Sequence, residues 1–375
     1  MKNKSGWIGV LSLIAGMLFS AVVAAEPRVS RAVSLPGGTQ SASVHVAGRV
    51  VAASGNGVAK RSYQWPGLYF ESTFEGRSAW FNVGSGDVIL QVLVDGKSVS
   101  TLVKPAAGLY SIDGLAAGQH TVRVAAVTES QASPNEFGGF VLPGSAKPLP
   151  TRKPVRQIEF IGDSHTVGYG NTSATRECTS EEVWATTDNS QAFGPKVARH
   201  YGADYQINAI SGRGIVRNYN GSPGDTLPAA YPFAIFDHSS RYDGAGWQPQ
   251  VIVIALGTND FSTPLNAGER WRTREELHAD YEATYVKFVE TLRARNPQAF
   301  FILWATDLAE GEIQAEVRKV FAKLQAKGEG RIAFVPVDGL TMTGCHWHPS
   351  VADDATIAAA LTRIIDVHRA EWTAH

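Results

Sequence analysis

The spacing of hydrophobic residues changes about 150 residues into this chain of 375 residues. Before that point, between residues 42 and 142, short β-prone runs such as Val88–Val94 and His120–Val124 alternate with turn residues. The dipeptide Asp95-Gly96 separates two of these runs and is a strong signal for a tight hairpin turn. The pattern predicts an antiparallel β-sandwich, and we expect a jelly roll.

Aromatic residues are frequent along the strands of this predicted sandwich. Such residues most often pack in a sheet core, although an exposed row of them can also stack on sugar rings. We therefore expect most of the set to be buried, with a sugar-stacking face as the alternative. The set is Tyr63, Trp65, Tyr69, Phe70, Trp80 and Phe81.

Beyond residue 155 the apolar runs alternate with amphipathic helices. A proline-containing segment, residues 144–155, precedes the change and is predicted to be a linker, because proline cannot donate to a sheet ladder and disfavours helix before it. A capping box at Thr273-Arg274-Glu275-Glu276 marks the start of one helix. Five buried strands separated by helices predict a largely parallel sheet. The strands are Gln157–Ile161, Tyr205–Ala209, Val251–Leu256, Phe300–Ala305 and Ile332–Val337.

The N-terminus has the features of an export signal. Lys2 and Lys4 precede an apolar run, residues 7–23, that ends in Ala24-Ala25. This predicts a signal peptide cleaved after residue 25 and a secreted or periplasmic protein, the alternative being an uncleaved membrane anchor. We therefore divide the chain into a signal peptide (1–25), a β-sandwich domain (26–143), a linker (144–155) and an α/β domain (156–375).

Charge and cysteine content narrow the choice of partners. The 34 Lys and Arg residues nearly balance the 35 Asp and Glu residues, so nothing in the bulk charge favours nucleic acid or an anionic membrane. We expect no nucleic-acid partner, and no membrane partner after signal cleavage. The two cysteines, Cys178 and Cys345, are predicted to pair in an oxidising compartment, with two unpaired thiols as the alternative.

A candidate nucleophile follows the first strand of the α/β domain. Ser164 stands in Gly162-Asp163-Ser164, directly after an apolar run. A serine that attacks an ester needs a base and preorganised donors for the oxyanion. Ser164 and Gly212 can each offer a backbone N–H, and Asn259 can offer its amide. Taken one at a time, each of these residues is more often a turn or capping residue.

These segments together resemble the SGNH hydrolases, whose Ser, Gly, Asn and His blocks occur here in the same order. The β-rich segment ahead of them narrows the resemblance to carbohydrate esterase family two. The resemblance implies a flavodoxin-like parallel sheet behind a β-sandwich, a nucleophile at Ser164, a base at His348 and an oxyanion hole of Ser164, Gly212 and Asn259. Further matching segments are Glu177-Cys178-Thr179, Ala192-Phe193-Gly194-Pro195, Ser211-Gly212-Arg213-Gly214-Ile215 and Trp347-His348-Pro349-Ser350.

The chain departs from the family pattern beside its predicted base. Enzymes of this type usually carry an Asp two or three residues before the catalytic His, where this chain has His346 and Cys345. Some members of the family are thought to use a Ser-His dyad whose ring is held by a backbone carbonyl, and this is our leading hypothesis. Three carboxylates remain as alternatives, and His346 is interpreted as a loop or substrate-facing residue. The carboxylates are Asp338, Asp353 and Asp354.

The resemblance implies removal of acetyl groups from polysaccharides such as xylan or glucomannan, with no metal or organic cofactor. Trp347 is a candidate for stacking on a sugar or for holding the His loop, and Tyr219 and Arg217 are weaker candidate substrate contacts. Zinc on the pair His346 and His348 is an alternative that lacks a third ligand in the sequence. A lipid or thioester hydrolase of the SGNH class and a noncatalytic carbohydrate-binding protein are the competing functions.

Overall fold

The computed structural model describes residues 26–53, 60–84, 86–244 and 246–369. The predicted signal peptide at residues 1–25 lies outside these described residues. Within them, every helix is too short or too polar to cross a membrane.

The N-terminal part is a sandwich of two antiparallel sheets, as predicted. The strands of the described residues are β1 (Arg28–Ala32), β2 (Thr39–Ser41), β3 (His45–Ala47), β4 (Val51–Ala53), β5 (Lys60–Tyr63), β6 (Tyr69–Glu75), β7 (Ala79–Val83), β8 (Ile89–Val94), β9 (Lys97–Val103), β10 (Gly108–Asp113), β11 (Gln119–Ala126), β12 (Asn135–Pro143) and β13 (Lys147–Leu149). One sheet has the order β1-β10-β7-β12-β5-β4 with β2 beside β12, and the other has the order β13-β6-β11-β8-β9 with β3 beside β6.

Two local predictions for the sandwich are confirmed. The strands β8 and β9 pair in antiparallel fashion across Asp95-Gly96, and both turn residues have positive φ, 52° and 78°, as a type I′ turn requires. The predicted aromatic residues are buried in the sandwich core or against the α/β domain, except for Trp80, which is half-buried. Core packing is therefore the use of most of these aromatic residues.

The predicted linker at residues 144–155 contains a strand that its sequence does not reveal. Residues 147–149 form β13 and pair with β6 at the edge of a sandwich sheet. An edge position explains why Pro148 is tolerated there, because a strand at the edge can leave one N–H side unpaired. The structure therefore assigns these three residues to the sandwich, and the other domain boundaries stay predictions.

The C-terminal part is a parallel sheet covered by helices on both faces, as predicted. The strands are β14 (Gln157–Gly162), β15 (Asp204–Ala209), β16 (Val251–Ala255), β17 (Phe300–Thr306) and β18 (Ile332–Val337). Their order in the sheet, β15-β14-β16-β17-β18, is that of flavodoxin-like sheets, 2-1-3-4-5 when the strands are numbered within the domain. The α-helices of the described residues are α1 (Ser164–Val167), α2 (Ser180–Thr186), α3 (Phe193–Tyr201), α4 (Leu227–Ala230), α5 (Thr258–Phe261), α6 (Arg274–Arg295), α7 (Glu312–Ala326) and α8 (Val351–Val367).

The helices follow from their caps and apolar stripes. Thr273 caps α6 by accepting a hydrogen bond from the Glu276 N–H, as the capping pattern predicts. The apolar faces of α3 and α8 pack on one side of the sheet, and those of α6 and α7 pack on the other. The sheet is thus buried on both faces, and only its strand ends are open to a ligand.

The sandwich packs directly against the α/β domain. The Asn189 N–H donates to the Val127 carbonyl at 2.8 Å, and the Trp65 Nε1–H donates to the Phe233 carbonyl at 3.0 Å. The guanidinium of Arg49 lies 4.9 Å from the Trp65 ring centroid and is buried at this junction. The loop that follows β11 is thereby held against the α/β domain.

Candidate active site

The candidate nucleophile lies at the carboxyl end of the first parallel strand. The strand β14 ends at Gly162, and Ser164 begins the short helix α1. Asp163 caps this helix, because its Oδ1 accepts the His165 N–H at 3.1 Å. The tight strand-to-helix turn presents the Ser164 hydroxyl at the sheet edge, where it is 5% exposed. That position is the one expected for a nucleophile in an open α/β sheet.

His348 is placed to act as a base for Ser164. Its Nε2 lies 2.9 Å from the Ser164 Oγ, which is within the range of a hydrogen bond. Its Nδ1 lies 2.9 Å from the Cys345 carbonyl oxygen and 3.1 Å from that of His346. Because a carbonyl can only accept, Nδ1 carries the ring proton and Nε2 is free to accept the serine proton.

The three carboxylates considered as substitutes for the missing acid are engaged elsewhere. Asp338 accepts a hydrogen bond from Gln314, and Asp354 accepts bonds from Asn171 and from the Phe193 N–H. Asp353 caps α8 through Ser350 and accepts the Thr341 N–H at 2.7 Å. None of the three bonds to His348, so the structure corrects these alternatives. Two backbone carbonyls hold the ring instead.

A disulfide anchors the loop that carries His348. Cys178 and Cys345 are bonded, as predicted, with Cα atoms 5.6 Å apart. The loop also packs tightly on Gly170, where an added Cβ would lie 2.4 Å from the Cys345 Cβ. The Arg176 guanidinium donates to the carbonyls of Met342 and Thr341, both at 2.7 Å. One of the two carbonyls that hold His348 therefore belongs to Cys345, which the disulfide ties to Cys178.

His346 does not contact the base through its side chain. Its Nδ1 lies 3.2 Å from the Tyr169 hydroxyl, and its Nε2 lies 2.8 Å from the Cys178 carbonyl oxygen. The ring nitrogens of His346 and His348 thus face different partners. Among the described residues, no group of three or more His, Cys, Asp or Glu side chains is arranged to hold a metal ion.

Two backbone N–H groups are available as oxyanion donors. Ser164 follows β14, Gly212 follows the adjacent β15, and these strands pair in parallel with Gly162 opposite Ala209. Within the part of the chain that the structure describes, neither the Ser164 N–H nor the Gly212 N–H donates to a protein acceptor. Gly212 has a φ of +82°, and an added Cβ would meet open space. Both N–H groups are therefore available to a ligand, and the Gly212 Cα has open space beside it.

Asn259 reaches the same sheet edge from β16, but its amide already has protein partners. Its Nδ2 donates to the Asp163 Oδ2 at 3.1 Å and to the Arg213 carbonyl at 2.9 Å. An amide nitrogen has two hydrogens. To donate to an oxyanion, Asn259 must share one of these two hydrogens with the ligand or turn it away from its protein partner.

Burial sets the ionisation of the site. It lowers the pKa of His348 to about 4, while the hydrogen bonds to the Cys345 and His346 carbonyls act in the opposite direction. Burial also lowers the pKa of His165 to about 3, and the His165 ring meets His348 edge-on at 5.4 Å between centroids. At neutral pH the His348 imidazole is therefore uncharged and able to accept a proton.

Burial has the opposite effect on the carboxyl that caps α1. It raises the pKa of Asp163 to about 7, against the His165 N–H bond, which favours the carboxylate. Asp163 holds the amide of Asn259 and the start of α1. It therefore links the nucleophile to the candidate oxyanion amide.

An aromatic ring packs on the candidate base, and two exposed aromatic residues are candidate sugar contacts. The Tyr169 ring lies 4.3 Å from the His348 ring, centroid to centroid, at an interplanar angle of 32°. Trp347 is 56% exposed and Tyr219 is 54% exposed, so both candidate sugar contacts are open to a ligand. Tyr169 has no sequence signal of its own, because the stacking joins residues far apart in the chain.

The structure corrects the prediction that Arg217 contacts substrate. Its side chain is 2% exposed and forms an ion pair with Glu269, with 2.7 Å between Nε and Oε2. Its Nη2 also donates to the Pro264 carbonyl at 2.8 Å. A guanidinium committed in this way fixes a loop. Nothing near Arg217 in the sequence identifies Glu269 as its partner.

The fold and the arrangement of the site are those of an SGNH-type hydrolase behind a β-sandwich. A family model for the N-terminal domain of carbohydrate esterase 2 matches residues 46–151, and the model of the GDSL-like lipase/acylhydrolase family matches residues 160–368. The chain belongs to carbohydrate esterase family two, and it is a carbohydrate esterase.

Similar proteins agree with this assignment. An acetylxylan esterase / glucomannan deacetylase from Cellvibrio japonicus is 45% identical over 97% of this chain and 99% of that protein. The cellulase/esterase CelE of Acetivibrio thermocellus is 32% identical over 80% of this chain and 36% of its own length.

Two solved structures share the fold over most of this chain. One is a carbohydrate esterase whose active site is described as having divergent catalytic and non-catalytic binding functions, with 45% identity and a TM-score of 0.84 over 89% of this chain and 100% of that one. The other is a family two carbohydrate esterase from Clostridium thermocellum in complex with cellohexaose, with 27% identity and a TM-score of 0.76 over 88% of this chain and 100% of that one.

Proposed function

We propose that this esterase removes O-acetyl groups from polysaccharides such as xylan or glucomannan through an acyl-enzyme on Ser164. The 2.9 Å approach of His348 Nε2 to Ser164 Oγ carries the proposal. The name of the relative at 45% identity, which acts on acetylxylan and glucomannan, supports the choice of substrate.

In the acylation step, His348 Nε2 takes the hydroxyl proton as Ser164 Oγ bonds to the acetyl carbonyl carbon. The resulting oxyanion is stabilised by the N–H groups of Ser164 and Gly212 and by the Asn259 amide. When the intermediate collapses, the ester C–O bond breaks and the sugar oxygen receives the proton from Nε2. An acetylated Ser164 and a free sugar hydroxyl remain.

Deacylation repeats the same chemistry with water. His348 accepts a proton from water, the hydroxyl oxygen attacks the acetyl carbon, and Ser164 leaves with the proton returned from Nε2. Acetate and free enzyme are the products. The donors and the base are the same in both halves of the reaction.

The base works without a carboxylate. The carbonyls of Cys345 and His346 accept from Nδ1–H, which selects the tautomer and orients the ring. These dipoles also stabilise the imidazolium that forms during attack, although less than a full negative charge would. We infer a Ser164-His348 dyad.

The substrate proposal rests on an exposed aromatic side chain next to the dyad. Trp347 adjoins His348 in sequence, and an exposed indole suits stacking on a sugar ring. The family two relative in complex with cellohexaose supports an extended sugar chain as the ligand. Tyr219 is the second candidate contact.

We also propose that the protein is exported after cleavage of residues 1–25. The Cys178–Cys345 disulfide supports an oxidising compartment, because such bonds are rare in the cytosol. Mass spectrometry of the N-terminus of the exported protein tests the cleavage site.

The central test is acetate release from acetylated xylan and acetylated glucomannan. Ser164→Ala is expected to lose at least about 1000-fold in rate, because the nucleophile is absent. Ser111→Ala is the matched control, since Ser111 is also buried at 6% exposure and its hydroxyl bonds to that of Ser30 within the sandwich. Full activity in Ser164→Ala would contradict the proposal.

A long-chain ester and a binding assay separate the competing functions. Cleavage of the long-chain ester without acetate release from either glycan would favour a lipid hydrolase. Glycan binding by wild type and Ser164→Ala alike, with no turnover by wild type, would favour a noncatalytic binding protein.

A further inference from the structure

We propose that two side chains of the sandwich domain, Glu129 and Gln131, position the peptide unit that carries the Gly212 oxyanion donor. The inference rests on the proposed role of Gly212 and adds a function for the domain that precedes the hydrolase. Both residues are positioning residues, because they act through the backbone next to Gly212.

The contacts join the loop after β11 to the loop after β15. The Ser211 N–H donates to Glu129 Oε1 at 2.8 Å. Gln131 Nε2 donates to the Ser211 carbonyl oxygen at 3.1 Å and to Glu129 Oε1 at 3.2 Å. The sandwich side chains thus bind both polar backbone groups of Ser211, the residue immediately before the oxyanion donor.

Because the peptide is planar, the Gln131 contact also sets the direction of the Gly212 N–H. The Ser211 carbonyl and the Gly212 N–H belong to one peptide unit, which is planar and trans, so the two groups point in opposite directions. When Gln131 holds the carbonyl on one side, the N–H must point to the other. A change in the carbonyl direction would turn the donor away from the oxyanion.

The Gly212 position needs such support. A glycine adopts positive and negative φ with similar ease, so the peptide before it can rotate at low cost. The following peptide is already fixed, because the Gly212 carbonyl accepts the Tyr219 N–H at 2.9 Å. The peptide unit between Ser211 and Gly212 can still rotate, and the hydrogen bonds with Glu129 and Gln131 restrict that rotation.

The test compares Gln131→Ala with wild type on 4-nitrophenyl acetate and on acetylated xylan. We expect kcat to fall about tenfold, a part of the loss from removing an oxyanion donor outright. KM should change less than about twofold, because the neutral carbonyl of the bound ester interacts more weakly with the Gly212 N–H than the oxyanion does. Methylboronic acid, which forms a tetrahedral adduct with the serine, should bind more weakly by the same factor as kcat falls.

Matched variants separate positioning from loss of fold. Glu181→Gln breaks an exposed ion pair between the same two domains, Lys104 to Glu181 at 3.3 Å, and should leave kcat unchanged. Glu129→Ala should resemble Gln131→Ala, while Glu129→Gln should keep more activity because its amide oxygen still accepts the Ser211 N–H.

Two results would overturn the inference. One is a kcat within twofold of wild type in both Gln131→Ala and Glu129→Ala. The other is a lower kcat with unchanged affinity for methylboronic acid. Ser164→Ala is assayed alongside: if it is inactive while Gln131→Ala is normal, only this inference fails, and if it stays active, the proposed function fails as well.

Discussion

The two partners of the proposed dyad are held in different ways. Ser164 stands at the junction of a buried parallel strand and a capped helix. His348 stands in an irregular loop in which His346 and Trp347 have positive φ values of 51° and 57°. The nucleophile is thus placed by regular secondary structure. The base is placed by a disulfide, two carbonyls and the packing of Cys345 against Gly170.

In the proposed dyad, this difference lets a fixed loop take over part of the role that a carboxylate has in a Ser-His-Asp triad. An acid fixes the imidazole and supplies a charge. In the proposed dyad, the fixed loop would supply the orientation, and the carbonyl dipoles of Cys345 and His346 would stand in for the charge. We therefore expect activity to be sensitive to changes in the loop that carries His348, and to the loss of an oxyanion donor beside Ser164.

The largest expected effect distinguishes the two histidines of the base loop. His348→Ala should lower kcat by at least about 1000-fold, because the base is lost. His346→Ala is its neighbour control and should cost less than about tenfold, since that ring bonds to Tyr169 and the Cys178 carbonyl. Steady-state acetate release measures both. Equal losses would contradict the assignment of the base.

Asn259→Ala tests the nucleophile side. We expect kcat to fall about 100- to 1000-fold, as for the loss of one oxyanion donor. Asn266→Ala is a matched control, because Asn266 also donates through its amide, to the Asn220 carbonyl at 2.8 Å, but is exposed. An activity of Asn259→Ala close to that of wild type would remove Asn259 from the oxyanion hole.

Loss of the disulfide tests the base side. Cys178→Ser should lower kcat about tenfold by freeing the loop that orients His348, and should lower the free energy of unfolding by about 2–4 kcal/mol. Both quantities are measured well below the unfolding temperature. They are compared with the same quantities of wild type in the presence of reductant. An unchanged kcat would show that the carbonyls hold the ring without the covalent tie.

The smallest expected effect concerns a carboxylate placed near the base. His346→Asp should change kcat less than about fivefold, because the side chain at this position points to Tyr169. An increase well above tenfold would show that the enzyme has a compromised triad.

The pH profile sharpens the same comparison. Burial lowers the pKa of His348 to about 4, so the base stays neutral and active as pH falls below the ordinary histidine range. As His348 becomes protonated, kcat/KM should fall, and we expect this fall to begin only below about pH 6. The acid limb should move to higher pH in His346→Asp only if the new carboxylate contacts His348.

Much of the fold was predictable because the relevant signals are local. The β14 and β16 runs, the Asp95-Gly96 turn and the capping box before α6 each depend on neighbouring residues, and each is found where the sequence predicts it. The placement of Ser164, Gly212 and Asn259 at one sheet edge follows from that strand pattern.

The missed features depend on partners distant in sequence. Arg217 is buried because Glu269, 52 residues away, neutralises it. Tyr169 reaches His348, and Glu129 reaches Ser211, across loops whose packing has no periodic signal. The orientation of His348 by carbonyls was a hypothesis from resemblance, since backbone direction in an irregular loop cannot be derived from side-chain type.

The most direct test of the account is to trap the acyl-enzyme. Wild type and Ser164→Ala are mixed with 4-nitrophenyl acetate, quenched in acid before steady state, digested and analysed by mass spectrometry. We predict one added acetyl group on the Ser164 peptide of wild type and none on the corresponding peptide of the variant. Turnover without acetylation of Ser164, or acetylation of another residue in both proteins, would contradict the account.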